Sequence, residues 1–155
     1  MKNFLISCLA LVGVWFLSGC ASVPMASSAD DLKAKEFKAP TNGKAGVYIY
    51  RNEFFGAAIK MDVFVDDWLI GSTAKQTYHY VELAPGRHIF KGKAENESLL
   101  DLNAAANKLY YIWQEVKMGV LTARNKLQLV GEEEGQKGVK ESQLALSRSI
   151  PDGAP

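Results

Sequence analysis

From Gly46 onward the chain reads as short runs of β-branched and aromatic residues bounded by turn residues, with no helical stretch between them before residue 132. Strands that follow one another without intervening helices do not form parallel crossover units. The pattern therefore predicts an all-β protein, an antiparallel β-sandwich. Val47-Tyr48-Ile49-Tyr50 is the first run, and in residues 59–65 the side chains of Ile59, Met61, Val63 and Val65 share one face. Asp66-Asp67 then turns the chain into Trp68-Leu69-Ile70. Residues 77–83 alternate Thr77, His79, Val81 and Leu83 against Tyr78, Tyr80 and Glu82, the period of a strand. Ala84-Pro85-Gly86-Arg87 fits a type II turn, with proline presetting φ and glycine accepting φ > 0. Residues 88–93 are expected to return antiparallel from it. Residues 98–102 and 109–116 are expected to pair, and the apolar run 109–113 has the two-sided character of a central strand. Residues 126–130 are the last strand.

The texture changes at residue 132. Glu133 and Lys137 stand at i,i+4, and Val139, Gln143 and Leu146 fall on one helical face. A short C-terminal helix over 132–146 is expected, although Gly135 and Gly138 each weaken it by about 1 kcal/mol. Glu132-Glu133-Glu134 suits its N-terminus, where the helix dipole favours negative charge. The sandwich domain is therefore expected over 45–146, followed by a disordered tail, 147–155, containing Pro151, Gly153 and Pro155.

The N-terminus carries a different signal. Lys2 precedes an apolar stretch over residues 4–16, and small residues then surround Cys20 in Leu17-Ser18-Gly19-Cys20. The stretch falls short of the about 20 apolar residues a membrane-spanning helix needs. The tetrad resembles the lipobox of bacterial lipoproteins, which implies a signal peptide over 1–19 and cleavage that leaves Cys20 first. By the same resemblance Cys20 carries covalent diacylglyceryl and N-acyl (palmitate-type) lipid, the one modification expected and no cofactor besides. Ala21, rather than aspartate, follows the cysteine, which by the same resemblance implies the outer membrane, with the body facing the periplasm.

Both cysteines, Cys8 and Cys20, are absorbed by this reading, so the mature chain has neither a free thiol nor a disulfide. Its core alone must hold it together, and one domain suits the 155 residues. The formal net charge is +1, and loss of the leader removes only Lys2 among charged residues. A neutral body has no clustered basic residues for phosphate, which argues against a nucleic-acid partner. It also leaves lipid, rather than a polybasic patch, to hold the membrane. Residues 20–44, rich in Ala, Ser, Asp and Lys and broken by Pro24 and Pro40, read as a lipidated tether. Ser28 and Asp31 stand at capping-box spacing for a short helix over 30–37. A flexible segment of this length spans roughly 25 Å root-mean-square.

Two motifs carry a further resemblance. Val63-Phe64-Val65-Asp66-Asp67-Trp68-Leu69-Ile70-Gly71 followed by Val81-Glu82-Leu83-Ala84-Pro85-Gly86-Arg87-His88 resembles PEGA-type β-sandwich repeats. Asp67 departs from that pattern, where glycine is usual, and this shifts the turn type. With the lipobox, Gly46-Val47-Tyr48-Ile49-Tyr50-Arg51 and the region 111–130, the chain looks still more like the proteobacterial lipoproteins that carry domain of unknown function 2846. The likeness covers residues 46–144. It implies a prealbumin- or immunoglobulin-like sandwich in the envelope and no established activity.

Candidate chemistry is sparse. His79 and His88 are the two imidazoles, and across a hairpin they would approach Asp66 or Glu82, but their spacing matches no standard zinc pattern. The simpler expectation is that His79 packs in or beside the core and His88 bonds the turn backbone. No Gly-x-Ser-x-Gly, His-Glu-x-x-His, Ser-x-x-Lys or glycine-rich phosphate loop occurs. Neither catalytic nor metal-binding residues are therefore assigned. Phe54-Phe55-Gly56 is an aromatic pair in a loop, expected to plug the open end of the sandwich or else to meet a partner. With Trp68, near a turn, Phe54 and Phe55 are the candidate partner-binding residues. The expected function is a lipid-anchored, non-catalytic envelope module that binds or supports another cell-envelope component, an envelope protein or peptidoglycan. The alternative is a carbohydrate- or peptidoglycan-binding module, for which Trp68 and Phe54 must be exposed. A hydrolase is the weakest of the three readings.

Overall fold

The computed structural model describes residues 21–151. Residues 1–20, which include the expected signal peptide and Cys20, and residues 152–155 lie outside them. The described chain runs α1 (Ser28–Ala34), β1 (Ala45–Arg51), β2 (Met61–Val65), β3 (Trp68–Thr73), β4 (Thr77–Leu83), β5 (Gly86–Lys93), β6 (Glu97–Ala104), β7 (Leu109–Met118), β8 (Ala123–Val130), α2 (Glu132–Lys140) and β9 (Gln143–Leu144). The strands form two sheets, one ordered β8-β7-β1-β4-β9 and the other β3-β2-β5-β6. The protein is thus an all-β sandwich, mostly antiparallel, with a short C-terminal helix.

Alternation along the strands builds the interface between the sheets. Val47, Ile49, Val81 and Ile112 from the first sheet meet Val63, Val65, Ile70 and Phe90 from the second, all buried. A fully buried side chain of this kind contributes roughly 1.5–3 kcal/mol, so this layer carries most of the stability of a domain without disulfides. The opposite face of the first sheet is also covered. Tyr48, Tyr50, Tyr78 and Tyr111 are buried there with Val139 of α2, and Phe37 packs onto them. The Tyr48 and Tyr111 rings stack at 5.3 Å. Strand β1 is therefore buried at every residue. Among the described residues the outer face of the second sheet has no such cover, and Arg87, Ile89, Leu99 and Asp101 are exposed on it.

The pairing differs from expectation at three places. Strands β4 and β5 belong to different sheets, so Ala84-Pro85 is an arch between sheets rather than a hairpin turn. Gly86 still takes φ +139°, a conformation that disfavours a side chain. Strand β6 pairs with β5 over its whole length and not with β7. Strand β7 instead lies parallel to β1, Gly46 opposite Leu109 through Tyr50 opposite Trp113, and antiparallel to β8. A parallel pair of segments some sixty residues apart leaves no local mark in the sequence. At Asp66-Asp67 both φ values are positive, 49° and 66°, the pattern of a two-residue I′ turn. The strand register slips between Val63 and Phe64.

Both flanks are tied down more closely than their composition implies. Helix α1 is capped at Ser27, one residue before the expected cap, whose Oγ accepts from Asp30 N–H at 3.1 Å. The Asp31 carboxylate then accepts from Tyr78 Oη at 2.8 Å and from Leu144 N–H at 2.9 Å. Residues 20–44 are therefore not a free tether in their described part. Helix α2 stops at Lys140 instead of reaching Leu146, because Gln143 and Leu144 join β4 as a parallel strand. Gly135 and Gly138 face Tyr111 and Tyr50 so closely that a Cβ would overlap either ring. They weaken the helix and let it sit on the sheet. The tail expected to be disordered is engaged at its start: Arg148 N–H bonds Ile70 O at 2.8 Å, and Ile150 packs on the core.

Candidate functional site

One end of the sandwich gathers the unusual chemistry. Strand β1 ends there, and four connections meet: residues 52–60, 74–76, 94–96 and 119–122. Arg51, fully buried, closes β1, and its guanidinium donates to the carbonyls of Ile59 at 2.7 Å, Gly56 at 2.7 Å and Phe55 at 3.2 Å. Burial lowers the Arg51 pKa, which the neighbouring Glu53 partly offsets. A planar fork of donors meets three carbonyls in a way that a lysine ammonium does not. The loop thus held carries Phe54 outward, 65% exposed, with Phe55 beside it, also exposed.

The adjacent β7–β8 connection is built on the same plan. Glu95 accepts from Val120 N–H at 2.9 Å, Leu121 N–H at 2.8 Å and Thr122 N–H at 2.7 Å. These backbone donors, Thr122 first, hold the Glu95 carboxyl below its usual 4.5. With the backbone turned inward, Met118, Val120 and Leu121 project into solvent, the last two 88% and 89% exposed. Glu53 Oε1 accepts from Val116 N–H at 3.0 Å and so ties the first loop to β7. Beneath the two loops Met61, Val116 and Ala123 form a small buried cluster.

The chain enters at this end. Ala21 N–H donates to Ala57 O at 3.0 Å, one residue after Gly56. Val23 is buried against Ala74 and Ala145, and Met25 bridges to Ala145. Cys20, the expected lipid site, lies outside the described residues but is bonded to Ala21.

The sequence candidates divide between the two ends. Phe54 and Phe55 do not plug the sandwich: their loop is held by Arg51 with both rings outward. Trp68, 46% exposed, follows the Asp66-Asp67 turn at the far end, so the three aromatics form no single surface. His79 and His88 do not meet. His79 is buried; its Nε2–H donates to Ser72 O at 3.1 Å while Nδ1 accepts from the Ser147 hydroxyl at 3.0 Å. Desolvation lowers its pKa. His88 bridges Asp66 Oδ2, at 2.5 Å, and Ala84 O, at 2.8 Å. It locks the arch to the hairpin, in keeping with its expected bond to the turn backbone. No cluster of three or more metal-ligating side chains exists among the described residues.

A groove of about 580 Å³ lies between residues 30–42 and the first sheet, edged by Tyr48, Tyr80, Glu82 and Lys38. The Tyr48 hydroxyl is committed to Ala34 O at 2.6 Å, and the Tyr80 hydroxyl to Glu82 at 3.2 Å. The groove thus offers no converging unpaired group from these two rings.

Sequence reading missed Met118, Val120, Leu121, Arg51 and Glu95. The available signal was a Met-Gly-Val-Leu run between two strands, where turns are usually polar.

Comparison with known proteins adds a family. The family described as "Protein of unknown function (DUF2846)" matches residues 41–126. An uncharacterized protein of Haemophilus influenzae is 38% identical over 140 residues, covering 89% of this chain and 83% of the relative. No solved structure matches significantly.

Proposed function

The chain belongs to the DUF2846 family, and from that premise we propose that it is a lipid-anchored, non-catalytic module of the cell envelope that binds or supports another envelope component. The observation that carries this reading is the junction at Ala21. The residue after the lipobox cysteine is hydrogen-bonded directly into the body, so lipid on Cys20 holds the domain with almost no slack. Several acyl chains anchor stably, each buried methylene contributing about 0.8 kcal/mol, where a single chain binds marginally. Both histidines serve the fold, which leaves no imidazole for acid–base work and supports the non-catalytic reading. Ala21 at the position after the cysteine favours the outer membrane, with the body in the periplasm.

The peptidoglycan-binding alternative draws on Trp68, half exposed beside Asp67. It is the weaker reading, because Phe54 and Phe55 stand at the other end and cannot extend that platform.

Mass spectrometry of the protein purified from membranes tests the anchor. The expected product begins at Cys20 and carries diacylglyceryl plus one further acyl chain. An unmodified chain, or one retaining residues 1–19, overturns the reading.

A further inference from the structure

Five large apolar side chains are exposed at the end of the sandwich where the chain arrives from Cys20: Phe54, Phe55, Met118, Val120 and Leu121. Water leaves such a cluster unrewarded, and loop tips are usually polar. The two loops that carry it are also fixed rather than slack, one by Arg51 and one by Glu95. We propose that this end of the sandwich is a membrane-seating surface, pressed into the headgroup region of the same bilayer that holds the Cys20 lipid.

Three features select a bilayer as the occupant. Ala21 is bonded to Cys20, so the acyl chains leave within about 4 Å of a residue held against Ala57. An anchored body with so short a lead has this end against the lipid whatever else it binds. Next, the loop is prepared for a water-poor setting. Backbone donors without partners are disfavoured in lipid, and Val120, Leu121 and Thr122 turn all three into the Glu95 carboxylate. Met118, Val120 and Leu121 remain outward, with Thr122 the polar side chain beside them. Finally, Lys75 lays its Nζ 4.3 Å from the centre of the Phe54 ring. An aromatic with a lysine over its face suits the interface, where rings sit at headgroup level and lysine ammonium groups reach phosphate.

The inference deepens the lipid-anchored reading and rests on it, and one experiment separates the two. Lipidation consumes Cys20 and cleavage removes Cys8, so a cysteine introduced by Val120→Cys or Phe54→Cys takes a fluorescent label specifically. Asn103→Cys, exposed on β6 at the far end, is the control. Each full-length protein is expressed with its own leader, purified lipidated, labelled and reconstituted in phosphatidylethanolamine–phosphatidylglycerol vesicles containing lipids brominated along the chain. Labels at 120 and 54 are expected to be quenched by bromine and to lie about 5–10 Å into the headgroup and acyl boundary, the depth of an interfacial apolar face. The label at 103 is expected to remain open to iodide in water. If the protein is lipidated and vesicle-bound but labels at 120 and 54 match 103, the seating surface is wrong and the anchor stands. A label at 120 shielded only in native membranes, with cross-links to a protein, overturns the bilayer in favour of a protein partner. A product without lipid overturns both readings.

Discussion

At the end where Ala21 joins the body, Phe54, Phe55, Met118, Val120 and Leu121 stand in solvent, whereas the other end presents Asp67, Arg87 and Asp101 around a buried His88. Both ends are made of connections whose backbones are held by side chains. At the first, Arg51 collects carbonyls and Glu95 collects N–H groups, so the polar backbone faces the body and apolar side chains face out. At the second, Asp66 takes Ile89 N–H at 2.8 Å and His88, while Arg87 clasps Asp101 through Nε at 2.8 Å on the surface. The same kind of hydrogen bonding therefore yields an apolar end and a polar end. What they present to solvent distinguishes them.

Substitutions separate holding from presenting. Arg51→Ala is expected to have the largest effect, about 3–5 kcal/mol in urea unfolding, because it leaves a cavity and strips three carbonyls of their donor. It should also speed amide exchange across residues 54–60. A loss below about 1 kcal/mol, the scale of one ordinary hydrogen bond, would mean that the loop is held by other contacts. His88→Ala comes next, at about 2 kcal/mol, since Ala84 O and Asp66 both lose a partner. It is expected to leave the membrane depth of a label at 120 unchanged. A change in that depth would show that the two ends are coupled.

Glu95→Gln is expected to have the smallest effect on unfolding, with faster amide exchange confined to residues 120–122. Acid should act on the same contact. Backbone donors lower the folded-state pKa of Glu95 below 4.5, so the stabilisation is complete above that value. It is lost as pH falls through the lowered folded value, when the protonated carboxyl no longer draws the three N–H groups. His79 acts in a higher window. Its folded pKa lies below 6.5, so the unfolded chain binds a proton that the folded one refuses, and stability declines as pH falls below 6.5. Exchange at 120–122 that tracks the His79 window instead of the Glu95 window would contradict separate control of the loop.

The layers were legible in the sequence and their connections were not. Alternation of Val81 and Leu83 against Tyr80 and Glu82 marked a strand, and Asp66-Asp67 marked a turn. Pro85-Gly86 misled, because a bend between sheets uses the same local chemistry as a hairpin. Polar composition likewise concealed the docking of residues 21–37, where one carboxylate, Asp31, joins α1 to Tyr78 and Leu144. The apolar end was half visible. Phe54-Phe55 stood out as aromatics in a loop, but Met118, Val120 and Leu121 fell between the expected strands 109–116 and 126–130 with no role until the hairpin placed them at its tip. Their exposure depends on Glu95, about twenty-five residues away, which no local pattern reveals.

The central claim is that the body sits on its membrane end-first and without slack, and a distance distribution tests it most directly. Energy transfer is measured in vesicles between a label at Asn103→Cys on the lipidated protein and an acceptor on the lipid headgroups. Strand rise places residue 103 about 20–30 Å from the apolar end. A single narrow distribution at that height is expected, and Val120→Asp with Leu121→Asp should broaden it. A broad distribution in the unmodified protein, of the width given by a loose segment spanning roughly 25 Å, would contradict the account and restore the tether.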